Sequence, residues 1–348
     1  MERYAIVLAA GKGTRMKSRD PSHSKVAYPI LGKPLVNYVL DAIKPLSLNT
    51  IVVVVGFGGE VTKKLVEKDA EVVWQHEILG TGHAVKQASS ILENKKGSTL
   101  IVCGDTPLIT TETLENVFKV HERTNNKLTC VSAVLENPKG YGRIVREKPS
   151  NRIIAIKEDK DCSDSEREIT EVNTGIYVMD NELLFTYLSN LKNNNSQQEY
   201  YLTDLVEMFV NSKQKVGTYV VEDATEMFGV NDRVQLAYAA KIIRKRINHT
   251  LMLTGVSIED PDTTYICPNV KIDRDTIILP NTTILGDTVI GEANVIGPNV
   301  VINNSLIKDD NHIYSAYLDN VEVGSNNEIG PFVKLDKGTI IKNKELIK

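Results

Sequence analysis

The sequence predicts an α/β chain in two parts, a Rossmann-like, mostly parallel sheet followed by a short parallel β-helix of hexapeptide repeats. Three observations carry the prediction. Over the first ~230 residues, apolar runs alternate with segments of helical spacing. Two of those runs end in turns built for close approach, Gly11-Lys12-Gly13 and Gly104-Asp105. Beyond Leu251 the period changes, and an apolar residue recurs every six positions.

The elements follow in order. Tyr4–Ala10 is an apolar strand that runs into the glycine turn. Pro34–Ile43 has helical spacing. Ile51–Val55 has no polar alternation, as in a sheet covered on both faces. Thr81–Leu92 reads as one helix with Thr81 as its N-cap. Thr99–Cys103 is a second buried strand, ending at Gly104-Asp105. A helix starts at about Thr111, where Glu112 and Glu115 suit the positive end of the helix dipole. A βαβα order implies parallel strands with ligands bound beyond their carboxyl ends, and both special turns lie there. Asn231-Asp232 opens a long helical stretch to about Leu251, a connector between domains. Its Lys241, Arg244, Lys245 and Arg246 suit either a solvated face or an anionic partner.

The repeat begins with Ile266, Ile272, Ile278, Ile284, Ile290, Ile296 and Ile302. Its interval breaks at Lys308 and resumes at Tyr317, Val323, Ile329, Leu335, Ile341 and Ile347. Each hexad supplies a short strand and a corner, and the apolar residue points inward onto the next coil. At three hexads per coil this is a helix of about four coils. The expected domains are residues 1–229, a connector at 230–250 and the β-helix at 251–348.

Composition narrows the function. A length of 348 residues allows a full core without disulfide or metal staples. Charged residues are 25% of the chain, and 41 Lys+Arg against 45 Asp+Glu leave a net charge of −4. That balance excludes a disordered chain and a dedicated nucleic-acid binder. The longest aliphatic run, Ile51–Val55, is far short of the ~18 residues of a membrane span. Ala5–Ala10 is too short for a signal-peptide core. Cys103, Cys130, Cys162 and Cys267 make no CxxC pair, which fits a reducing compartment. The expectation is a cytoplasmic protein with no membrane or nucleic-acid partner.

The chemistry concentrates at Leu8-Ala9-Ala10-Gly11-Lys12-Gly13-Thr14-Arg15-Met16. Small residues let backbone N–H groups approach phosphate oxygens, and Lys12 and Arg15 add positive charge. Neither a Walker A loop nor a GxGxxG turn is present. With Lys25-Val26 and Pro29, this segment resembles the signature of sugar-1-phosphate nucleotidylyltransferases. Further segments follow in order: Gln75 with Leu79–Ala84; Cys103–Leu108; Gly140–Ile144; Glu158–Asp161; Glu171–Gly175; Asn193–Asn195 with Glu199–Asp204; and Gly229–Arg233. With hexapeptide repeats behind them, they resemble the bacterial bifunctional N-acetylglucosamine-1-phosphate uridylyltransferase/glucosamine-1-phosphate acetyltransferase family over essentially the whole chain.

The resemblance implies the nucleotidylyltransferase fold and a left-handed β-helix. It implies attack of the GlcNAc-1-phosphate oxygen on the α-phosphorus of UTP, with Mg2+ as cofactor, giving UDP-GlcNAc and pyrophosphate. Leu8, Ala9, Ala10, Gly11 and Lys12 would line the nucleotide, bordered by Cys103 and Gly104. Arg15 would stabilise charge on the transferring phosphate and Lys25 would hold a phosphate. Gln75, Gly80 and Thr81 would read uracil, since an amide donates and accepts at once. Gly142, Glu158 and Asn173 would hold the sugar. Asp105 and Asn231 would ligate Mg2+, although Asn231 equally suits the N-cap of the connector helix. His83 reads as helix structure rather than a base.

The chain departs from the family in two places. Lys17–Ser24 is about three residues longer than usual, and Lys25-Val26-Ala27-Tyr28 replaces the common Lys-Val-Leu-His, which leaves the position of Lys25 open. The family's acetyltransferase site lies in later coils than this sequence contains. The expectation is therefore no acetyltransferase activity and no acetyl-CoA site, with the short β-helix driving self-association as a trimer. Two other readings stay open, a glucose-1-phosphate uridylyl- or thymidylyltransferase and a non-catalytic assembly subunit.

Overall fold

The computed structural model describes residues 2–20 and 23–348. The chain forms two compact units, one from residues up to 28 with 34–235, the other from residues 29–33 with 236–348.

The first unit is built on a nine-stranded sheet. Its strands are β1 (Arg3–Ala9), β2 (Thr50–Val55), β3 (Glu71–Trp74), β4 (Ser98–Cys103), β5 (Leu128–Val134), β6 (Arg143–Arg146), β7 (Ile153–Lys157), β8 (Glu171–Asp180) and β9 (Val216–Val220). The order is β9-β5-β8-β4-β1-β2-β3, with β6 pairing both β8 and β7. β1 is parallel to β2 and β4, and β8 runs antiparallel between β4 and β5. The unbroken apolar runs have a simple cause. Ala5, Val7, Val53, Val55, Leu100 and Val102 face one core; Tyr4, Ile6, Val52, Val54 and Ile101 face another on the opposite side. Helices Leu35–Ile43 and Thr111–Thr124 cover the first side, and helix Asp204–Asn211 contributes to the second. Fully burying each such aliphatic side chain contributes about 1.5–3 kcal/mol.

The stretch 81–92 is two short helices, Thr81–Lys86 and Ser89–Leu92, rather than one. Gly80, not Thr81, occupies the N-cap. The Thr81 hydroxyl instead accepts from the Leu202 N–H at 3.1 Å, a long-range partner that local capping rules do not see.

The second unit is the left-handed parallel β-helix. Its strands stack in three parallel sheets of six, five and five, so the chain completes five coils and adds one strand, more than the four expected. The predicted isoleucines from Ile266 to Ile302 are buried, with Ile278 to Ile302 fully so. After Ile302 the phase differs from the sequence count. Ile307, Ile313 and Leu318 point inward, while Tyr317 is 41% exposed. The pairs Ile290↔Ile307 and Ile302↔Leu318 define short coils, whereas Ile266↔Ile284 keeps the full eighteen-residue step. Stacking of inward side chains sets the register, and the corners absorb the missing residues. A ladder of buried asparagines closes one corner. Asn311 Nδ2 donates to Asn294 Oδ1 at 3.1 Å, and Asn327 Nδ2 donates to Asn311 Oδ1 at 3.0 Å. No helix among the described residues is long and apolar enough to cross a membrane.

Candidate active site

The parallel register of β1 and β4 pairs Leu8 with Cys103, so the turns after both strands open on the same edge of the sheet. The Gly104 N–H seals the join by donating to the Leu8 carbonyl at 2.9 Å. Beyond this edge lies a cavity of about 260 Å³. Leu8, Ala9, Ala10 and Gly11 line it from the first turn, and Cys103 and Asp105 from the second. Gln75, Gly80 and Thr81 face them, and Lys25 completes the wall. Lys12 is exposed and is not among the lining residues.

Four polar side chains from distant parts of the chain converge here. Lys25 is ion-paired with Asp105, and its Nζ also donates to Asn231 Oδ1 at 2.9 Å. Arg15 Nη2 donates to the same Asn231 oxygen at 2.9 Å. The position of Lys25, open in the sequence, is fixed by its neighbours. Gly13 has φ +60°, and a Cβ added there would sit 2.7 Å from the Lys25 Cβ. Only glycine allows that backbone to lie against the lysine stem. Downstream, Arg233 donates to the Met16 carbonyl and to the Tyr28 hydroxyl, both at 3.2 Å, and lies over the Tyr28 ring. Both flanks of the long loop are thereby tied. Pro21 and Ser22 within it lie outside the described residues.

Asn231 does not cap the connector helix Arg233–Leu253. Asp232 does, accepting from the Gln235 N–H at 2.8 Å, while Gln235 Oε1 accepts from the Asn231 N–H at 2.8 Å. The Asn231 amide is thus released to face Asp105. The Val230 N–H donates to the Asp105 carbonyl at 2.8 Å and holds the two segments together. Asp105 and Asn231 offer one carboxylate and one amide oxygen at one point. This hard-donor pair fits Mg2+, which takes one or two protein ligands and fills its shell with water and substrate phosphates. Among the described residues there is no group of three or more His, Cys, Asp or Glu able to cage a metal without substrate.

On the other wall, Gly80 has φ +108°, and a Cβ there would lie 2.7 Å from the Tyr200 carbonyl. Gln75 is 2% exposed, and its Nε2 donates to the Gly80 carbonyl at 3.1 Å. One of the two amide N–H groups is therefore already engaged, and the same nitrogen lies 3.0 Å from His83 Nδ1.

Gly142, Glu158 and Asn173 form a neighbouring group. The Asn173 N–H donates to the Gly142 carbonyl at 2.8 Å, and Asn173 Oδ1 accepts from the Tyr177 hydroxyl at 2.9 Å. Glu158 accepts from the Thr203 hydroxyl at 3.0 Å. Burial raises the Glu158 carboxyl above its ordinary range, and nearby Asp161, Asp159 and Glu199 add to the effect. Burial likewise pushes Asp204 up to about 6. The Cys103 thiol is pushed up to about 12 by burial and then by Asp105, so it forms a wall and not a nucleophile. The sequence reading missed Ile78, Ala84 and Glu199 as lining residues, and Gly13, Thr203 and Tyr177 as supports. Glu199 sat within a recognised segment, but nothing in its spacing singled it out.

Residues 4–228 match the family model described as nucleotidyl transferase. Residues 269–304 match that of the bacterial transferase hexapeptide, six repeats. Among curated relatives, a bifunctional protein GlmU from a Geobacillus species is 47% identical over 335 residues, 96% of this chain and 72% of the relative. Another protein of that name, from an Exiguobacterium species, is 44% identical over 98% of this chain and 75% of its own length. A third, from Halalkalibacterium halodurans, is 42% identical over 97% of this chain and 74% of its own.

Proposed function

The chain belongs to the nucleotidyl transferase family, and we propose that it transfers the uridylyl group of UTP to N-acetylglucosamine-1-phosphate, releasing pyrophosphate and UDP-N-acetylglucosamine. The observation that carries this is the convergence of Arg15, Lys25, Asp105 and Asn231 beside the cavity.

The sugar phosphate oxygen is already an anion near neutral pH, so the reaction asks for positioning and charge neutralisation rather than a base. The backbone of Leu8–Gly11 cradles the nucleotide. Lys25 and Arg15, which share Asn231 Oδ1 here, are placed to turn to the α-phosphate and the leaving pyrophosphate. Asp105 and Asn231 hold Mg2+, which neutralises phosphate charge when bound. Glu158 accepts from sugar hydroxyls, and Asn173, whose Oδ1 is engaged by Tyr177, offers its Nδ2. Cys103 and the backbone of Gly80 and Thr81 shape the walls. We assign the transfer to residues 1–229 and place the protein in the cytoplasm, in keeping with its free cysteines.

We assign the β-helix to self-association as a trimer. Exposed Ile277, Val289, Leu306 and Tyr317 on its outer faces support that reading. A monomer at micromolar concentration in a sizing experiment would contradict it. The reaction itself is tested by pyrophosphate release from UTP and Mg2+ with three acceptors compared, GlcNAc-1-phosphate, glucosamine-1-phosphate and glucose-1-phosphate. Turnover with the first alone is the expected outcome. Turnover mainly with glucose-1-phosphate would show the sugar assignment to be wrong.

A further inference from the structure

The nearly buried Gln75 lines the nucleotide cavity, and its amide is held from two sides. Nε2 lies 3.1 Å from the Gly80 carbonyl oxygen and 3.0 Å from His83 Nδ1. A carbonyl oxygen only accepts, so the edge turned toward Gly80 is the NH2 edge. Its second N–H is directed at His83. A neutral imidazole carries one donor and one acceptor nitrogen. His83 Nδ1 is then the acceptor, and the ring proton sits on Nε2.

On the far side of the ring, His83 Nε2 lies 3.2 Å from Gln87 Nε2, and the same Gln87 nitrogen is 2.9 Å from the His83 carbonyl. One imidazole cannot accept from both glutamines, so one amide has to yield. Gln75 is 2% exposed and anchored by Gly80. Gln87 borders a separate surface hollow shared with Trp74, His76 and Lys86, where its amide has room to turn. The Gln75 orientation therefore wins.

We infer that His83 is a positioning residue for base selection. By taking the second N–H of the Gln75 amide, it leaves Oε1 as the only amide edge available to the nucleotide. An acceptor at that point meets the N3–H of uracil and repels the N3 lone pair of cytosine. The inference rests on the uridylyl-transfer reading of this cavity and adds to it a basis for choosing uracil over cytosine. It also gives His83 a part beyond shaping its helix.

The test compares UTP and CTP in the pyrophosphate-release assay for the unsubstituted protein, His83→Leu and His83→Asn. Leu removes the acceptor, whereas Asn places an oxygen close to the Nδ1 position. In His83→Leu the KM for UTP rises about tenfold with kcat little changed, and the UTP:CTP ratio of kcat/KM falls about tenfold or more. The KM for the sugar phosphate stays the same, and His83→Asn recovers most of the ratio. An unchanged ratio in an active His83→Leu enzyme overturns the inference. So does a fall in kcat alone with a lowered melting temperature, which marks a structural role. Nitrogen-15 spectra of the imidazole in the unsubstituted protein give a readout that does not depend on the variants folding. The Nε2–H tautomer is expected, and the Nδ1–H tautomer overturns the inference. No UTP turnover by the unsubstituted protein would instead defeat the uridylyl-transfer reading on which the inference stands, and the two failures are thereby told apart.

Discussion

At Gly13 a single hydrogen atom decides where Lys25 sits. Gly13→Ala forces a Cβ to 2.7 Å from the Lys25 Cβ at a backbone angle that alanine avoids. We expect kcat/KM for pyrophosphate release to fall at least about tenfold, since displacements of about 1 Å near a reacting centre cost up to about a hundredfold. Glu158 gives a pH signature. On the proposed reading its carboxylate form accepts sugar hydroxyls, and burial raises its pKa. It therefore protonates, as pH falls, at a higher pH than a free glutamate. The KM for the sugar phosphate should rise on the acid side from above the ordinary carboxylate range, and Glu158→Gln should give a high KM that no longer varies with pH there. A steady KM in the unsubstituted enzyme down to the ordinary carboxylate range would count against this role. Residue types and their order were legible in the sequence; their partners were not. Lys25 meets Asn231 across 206 positions. Asn231 is available because Asp232 takes the cap, and Gln75 has one amide edge already in use. Such pairings depend on how distant segments approach, which local spacing does not encode.

At the scale of elements, strands were easier to read than their register. The continuous apolar runs marked β1, β2 and β4 because both faces of that sheet are covered. In the β-helix, counting by six placed Tyr317 inside, while the coil that carries it is short and turns Leu318 inward. The asparagine ladder was not visible as a device, because Asn294, Asn311 and Asn327 lie in three successive coils. Asn311 gives its side-chain oxygen to both the backbone N–H and the Nδ2 of Asn327. Asn311→Ala leaves those buried donors without their acceptor. We expect a loss of about 1–3 kcal/mol, read from the denaturant midpoint of the second unit. A midpoint that does not move would show that the ladder carries no stability.

At the scale of the molecule, two kinds of regularity gave the architecture away, alternation of strands and helices in one part and a six-residue period in the other. The site followed from fold logic, since ligands in such sheets bind beyond the carboxyl ends of strands. The proposed chemistry rests on four converging side chains, Arg15, Lys25, Asp105 and Asn231, and the central claim is that they form the transfer centre. The most direct test is Mg2+-dependent pyrophosphate release from UTP and GlcNAc-1-phosphate by Asp105→Ala beside the unsubstituted protein, with the melting temperature of each recorded. The account predicts a loss of kcat of at least about a hundredfold in a protein that melts where the unsubstituted one does. An Asp105→Ala protein that keeps its rate and its Mg2+ dependence would contradict it.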